Sequence, residues 1–200
     1  MNLLDAWNSD ATEQMKIVVD TDVLQNIYSD VHASNAGTTA GVNTSGLNLG
    51  TTSSQVTLYK TDILEYIVRC GVALDEQNVP ETGRWQLFPP VYIGLIKISD
   101  LKDASLAGDG TSILRNGRVG RIDRFTLYST NNLKYVSADS AFHCLFGHPQ
   151  GLTFAAQMTN MESLRAESTF GTLIRGLQVY GYKVNHSPAV GTLYAAHSWT

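Results

Sequence analysis

The chain has 200 residues, 43% hydrophobic and 16% charged, and its 18 acidic against 14 basic residues give a formal net charge of -4. That length buries a substantial core, as one domain or two closely joined lobes, and the mild acidity supplies no long-range pull toward a polyanion. Two distant cysteines, Cys70 and Cys144, without a CxxC partner argue against a disulfide scaffold.

The opening MNLLDAWNSD has no cationic segment and no long apolar core, so it does not read as a signal peptide. No run approaches the roughly 20 apolar residues of a membrane span. Ser9 or Asp10 is placed to cap a helix over residues 9–33. Its apolar positions Met15, Val19, Val23, Ile27 and Val31 recur every fourth residue, with Val18, Leu24 and Tyr28 widening the stripe. Residues 34–55 then break the pattern with four glycines, many small hydroxyl residues and no charge. Such a stretch reads as a mobile loop, or one ordered only against a neighbour.

A second helix is predicted over residues 61–77, with Asp62 and Glu65 at capping-box spacing and Leu64, Ile67, Val68 and Leu74 on its apolar side. NVPETGRW reads as a turn. QLFPPVYIGLIK reads as extended, broken at Pro89 and Pro90. Residues 98–117 read as a short helix or irregular connection, with turns near Gly108 and at Asn116-Gly117. RVGRIDRFTLYST alternates like one imperfect strand, and AFHCLF, LTFAAQM, LIRGLQVYGYKV and TLYAAH supply further strands. Helices preceding most of the sheet make an α+β protein.

Three separated segments carry a resemblance. They are residues 74–85 (LDEQNVPETGRW), residues 116–133 (from NGRVGRIDRF to YSTNNL) and residues 170–184 (including RGLQVYGYKV), with Pro188 soon after. In order and spacing they resemble the major capsid proteins of tailed bacteriophages. The resemblance implies a long spine helix, axial-domain helices and a mixed or antiparallel sheet. On that footing residues 1–34 would be the spine part of a peripheral domain, 35–56 a flexible connection, 57–169 mainly the axial domain, and 170–200 the terminal strands. Structural turn or assembly positions would be Arg84, Trp85, Gly117, Arg118, Gly120, Arg121, Gly176, Tyr180 and Gly181. Arg84 is expected to pair within its turn, and Gly176 to allow close strand packing. Relatives usually carry an N-terminal arm and an extended loop before the spine helix, for which the residues ahead of this helix leave no room.

What the resemblance implies is self-association into pentamers, hexamers and a virion shell around double-stranded DNA, assembled in the bacterial cytoplasm. Other head proteins are implied as partners, with at most non-specific DNA contact, no membrane, no cofactor and no enzymatic activity. The alternative is a capsid-like binding fragment that builds no complete shell. Loops near residues 37–50, 103–110 and 131–137 would make or adjust contacts.

Other readings of the residues are weaker. Arg115, Arg118, Arg121 and Arg124 invite phosphate contact, but Gly117 and Gly120 oppose a helix, and pairing with acids, as Arg84 with Glu81, is favoured. His143, Cys144 and His148 are zinc or thiol-catalysis ingredients, yet adjacent strand residues point to opposite faces and a fourth ligand is missing. Asp75, Glu76 and Glu81 read as surface or capping carboxylates, not as an acid–base set. Phe125 and Tyr180 sit inside apolar strand patterns and are assigned to the core, whereas Trp199 is an interface anchor or a tail.

Overall fold

The computed structural model describes residues 3–99, 118–166 and 171–199. The turns expected around Gly108 and Asn116-Gly117 lie outside these residues. Among these residues three α-helices, α1 (Leu3–Asn26), α2 (Ile63–Glu76) and α3 (Pro90–Ile98), accompany nine strands. These are β1 (Val56–Leu58), β2 (Arg84–Phe88), β3 (Arg118–Ile122), β4 (Phe125–Ser129), β5 (Tyr135–Val136), β6 (Ala141–Gly147), β7 (Leu152–Arg165), β8 (Thr172–Val184) and β9 (Val190–His197). The mixed α+β architecture agrees with the sequence reading.

The strands form two separate sheets. A seven-stranded sheet runs in the order β1-β9-β6-β2-β4-β3, with β5 attached to β6. It is mixed: β1 lies parallel to β9 and β2 parallel to β4, while β6 is antiparallel to β2 and β9. Its central strand β6 is buried at nearly every position, as expected of a strand covered on both faces. On one face Phe146 meets Phe125 edge-on and Phe142 meets Tyr92 of α3, beside buried residues of α2. On the other, Tyr28 stacks on His143. β7 and β8 make the second sheet, an antiparallel ribbon of 14 and 13 residues with one register shift between Met158 and Asn160.

The first helix differs from expectation at both ends. It already runs from Leu3, so Ser9 and Asp10 lie inside it and not at its start. It stops at Asn26, whose side chain donates back to the Asp22 carbonyl at 2.7 Å, and short 3-10 turns at Ile27–Asp30 and Ala33–Asn35 follow. Side chains that bond backbone locally favour such terminations. Val23 and Ile27 reach the core, whereas Ile17 and Val18 stay in solvent.

The polar stretch 34–55 is docked on the rest of the chain by buried residues and hydrogen bonds. Ala40 and Leu49 are fully buried, Ala40 exchanges backbone hydrogen bonds with Leu47, and Tyr194 N–H donates to the Leu49 carbonyl at 2.8 Å. Asn35, also buried, donates to the carbonyls of Pro188 (2.6 Å) and Val190 (3.1 Å). From the other side the Glu76 carboxylate accepts from Asn43 N–H, Thr44 N–H and the Thr44 hydroxyl, which holds its pKa below the ordinary carboxylate value, the Asn43 bond first. Gly50 has φ +80°, and a side chain there would collide with the Tyr194 carbonyl. Few apolar residues suffice because backbone and side-chain hydrogen bonds do the docking.

Helix α2 forms where its period predicted. Asp62 occupies the N-cap but bonds no helix N–H, and Glu65 pairs with Arg69, so the expected capping box is absent. Its C-terminus is closed by a Schellman arrangement. Asn78, at φ 56°, donates to Asp75 O, and Val79 N–H donates to Leu74 O, with Leu74 and Val79 both buried.

The extended reading of residues 90–98 is overturned by α3. Pro90 stands at the first helical turn, where its fixed φ suits the helix and no N–H is missed. The single strand expected over residues 118–130 is a hairpin instead. Ile122 opposes Phe125 across a two-residue Asp123-Arg124 turn, with Asp123 at φ 51° supplying the left-handed conformation that tight hairpins require.

Candidate assembly surface

Eight of the nine sequence-selected residues fall in three places. Arg84 and Trp85 open β2; Arg118, Gly120 and Arg121 lie on the edge strand β3; Gly176, Tyr180 and Gly181 lie on the ribbon strand β8. Gly117 is outside the described residues.

Arg84 is completely buried. Its guanidinium bonds the carbonyls of Pro80 (2.9 Å), Gly71 (3.3 Å) and Val79 (2.5 Å) and pairs with Asp75 at 2.8 Å. The partner is therefore Asp75 and not Glu81, because the chain reversal after α2 lays the end of that helix over Arg84. Asp75 also receives Arg124 at 2.7 Å, and Glu81 pairs with Arg124 at 3.3 Å. The hub ties α2, β2 and the β3–β4 turn together, and it accounts for Arg124 of the arginine series as a partner of acids. Its cations stand at a helix C-terminus, where the helix dipole favours them. Trp85 is half-buried and packs on the core. Gly120, at φ 130°, opposes Leu127 beside a register shift, and Arg121 is exposed opposite Thr126.

His143, Cys144 and His148 do not converge. His143 is buried between Tyr28 and Tyr194, ring centroids 4.1 and 4.4 Å away. Desolvation first, then nearby Lys134, lowers its pKa to about 4. Burial raises the Cys144 thiol pKa far above its ordinary value, opposite to what a nucleophile needs. His148 Nδ1 accepts from Gln150 N–H in a turn cap. No group of three or more metal-ligating side chains stands together among the described residues.

The ribbon presents two different faces. On one, Tyr180 hydroxyl donates to Asp22 Oδ2 at 2.9 Å and Tyr182 hydroxyl to the Asp22 carbonyl at 3.3 Å, fastening β8 to α1. Tyr180 is thus a half-buried latch to the helix and not a core residue, while Phe125 is fully buried as expected. Gly176, opposite Met161, is exposed, and Gly181, opposite Ala155, has open space where a side chain would be. The other face is exposed and apolar: Leu164 opposes Leu173, followed along β8 by Leu177 and Val179. Between them Arg175 pairs with Glu162 at 2.6 Å. At the ribbon base an open hollow of about 250 Å³ is lined by Thr153, Ala155, Gly181, Tyr182, Lys183 and Asn185, without a carboxylate. Sequence reasoning found the strand but not this face, because β8 is apolar at both odd and even positions. Trp199, half-exposed, rests on Gly94 of α3.

A helix running beside a ribbon, joined to a mixed sheet with its own helices, is an architecture shared with phage capsids. No family model matches the chain, and no curated protein does. Among solved structures, a chain of Mycobacterium phage Che8 matches with a TM-score of 0.70 at 21% identity, over 94% of this chain and 62% of that one. The capsid of Cyanophage P-SCSP1u matches with a TM-score of 0.64 at 17% identity, over 99% of this chain and 67% of that one. The capsid of Ralstonia phage GP4 gives 0.51 and 18%, over 82% and 52%. The chain has the phage-capsid fold, and it spans about three fifths of the length of the Che8 chain.

Proposed function

We propose that the chain is a structural capsid protein that self-associates in a phage head and catalyses no reaction. The observation that carries this reading is the likeness to a phage capsid structure along 99% of the chain, with a second phage structure matched over 94%. The exposed apolar ribbon face supports it, since such patches on a folded subunit mark sites of association. In this reading residues 1–34 supply the spine, 35–56 a connection, 57–169 mainly the axial part, and 170–200 the terminal strands. The sheet unit stands near each ring axis of pentamers or hexamers, and the helix and ribbon reach toward neighbouring rings. Weak contacts repeated by symmetry sum to a stable shell around double-stranded DNA. Other head proteins join copies of the chain as partners, and contact with DNA is non-specific. The location is the virion, after assembly in the host cytoplasm; among the described residues no helix is long and apolar enough to cross a membrane.

Light scattering across concentration and salt, with negative-stain imaging of the same samples, tests this. Rings, sheets or shells are the expected result. A persistent monomer would sink the shell-forming role and favour a capsid-fold unit that binds other head proteins, the reading consistent with the chain's partial span of its structural neighbours.

A further inference from the structure

The geometry points to the exposed ribbon face as a two-fold contact between copies of this chain, each Arg175 pairing with the partner copy's Glu162. This rests on the self-association proposed above and adds its surface and symmetry. Residues on opposed ribbon positions share a face, so the alternation that turns Tyr180 and Tyr182 toward α1 turns Leu173, Arg175, Leu177 and Val179 away from it. Leu164, Leu173, Leu177 and Val179 are 40%, 55%, 58% and 54% exposed. Among the described residues nothing covers these four large aliphatic side chains on one face of a two-stranded ribbon, and burying them is favourable.

Charge identifies the occupant. Two such faces can meet about a two-fold axis lying across the strands or along them. An axis across the strands at the ion pair sets Arg175 against Arg175 and Glu162 against Glu162. An axis along the strands exchanges the two strands, so each Arg175 lies over the other copy's Glu162. The same rotation lays each Leu173 over a Leu164. Of these two axes only the second is complementary in charge, which makes another copy of the chain the partner the face fits. An isologous contact of this kind closes on itself.

The area sets its strength. With β8 at 13 residues, the ribbon is about 43 Å long at roughly 3.3 Å per residue, and about 10 Å wide. The face therefore covers about 430 Å² on each copy, below the roughly 1,200 Å² total of standard interfaces. The contact is weak by itself and gains its effect by repetition in an assembly.

Two charge variants test it, Arg175→Glu and Glu162→Arg. Both positions are exposed to solvent, and circular dichroism with urea unfolding checks that each variant folds like the wild type. Sedimentation then reads self-association with concentration. Each variant alone should associate at least about tenfold more weakly than wild type, because like charges now meet across the axis. An equimolar mixture, one variant fluorescently labelled, should recover one-to-one heterodimers. Recovery in the mixture cannot come from the pair within a chain, since neither chain regains it. If both variants associate as the wild type does, or the mixture is no tighter than its components, the ribbon contact is wrong. Shells formed unchanged by the variants would reject this surface alone; wild type that stays monomeric would reject the self-association reading with it.

Discussion

The central sheet and the ribbon spend their apolar residues in opposite ways. In the sheet, β6 and β9 bury nearly every side chain, and even the arginine at the head of β2 is enclosed. In the ribbon, Leu173, Leu177 and Val179 face solvent, and the fastening to α1 is made by tyrosine hydroxyls. Among the described residues one unit encloses its apolar side chains and the other leaves them exposed. Stability is therefore expected to reside in the first and association in the second.

The sharpest break of that contrast is at Arg84. Arg84→Met should cost about 3–5 kcal/mol, because it leaves Asp75 and three carbonyls without their buried partner. Urea unfolding measures this, and a loss below about 1 kcal/mol would show that the hub is dispensable. Next, Gly50→Ala should cost about 2–3 kcal/mol, since alanine is strained at φ +80° and its methyl meets the Tyr194 carbonyl. A similar cost is expected for Asn35→Ala, about 2 kcal/mol, through two lost hydrogen bonds to the turn before β9.

Acid should act on the body through His143. Its folded pKa is lowered from 6.5 to about 4, so the unfolded chain binds the proton first as pH falls. Stability is then constant above about 6.5, falls between 6.5 and 4, and levels below that. Allowing for partial solvent screening, the loss is about 2 kcal/mol. Glu76 adds a separate decline below 4.5, where its bonds to Asn43 and Thr44 are lost. His143→Phe should flatten the first window and leave the second, as read by thermal melts across pH. At the small end, Leu177→Ser on the ribbon should change unfolding by no more than about 0.5 kcal/mol. It should nonetheless weaken concentration-dependent sedimentation, and a large unfolding effect would erase the contrast between the two units.

Much of this was legible in the residues, unevenly. Helix α2 announced itself because Leu64, Ile67 and Leu74 follow its period against the core, although Val68, read on the same side, is exposed. Helix α3 did not, since Pro89-Pro90 followed by Val, Tyr and Ile suggests extended chain until the proline is placed in the first helical turn. The turn at Asp123-Arg124 was hidden because it lacks the usual glycine. The partner of Arg84 depended on the Schellman reversal, which brings Asp75 closer than sequence distance suggests. The ribbon face was the hardest to see: an exposed leucine and a buried one look alike until the neighbouring elements are in place.

The strand order carries a consequence for when this molecule comes into being. β9, the last strand in the chain, lies between β1 and β6, and both pair with it along one edge each. Until residues 190–197 have left the ribosome, β1 lacks its β9 neighbour, Asn35 lacks its Val190 acceptor, and Leu49 has no Tyr194 to bond. The body therefore cannot close before β9 has been made, and this delay in non-local pairing slows folding. A nascent chain has a ribbon before it has a closed body, so its exposed apolar residues are presented ahead of the sheet that buries the rest.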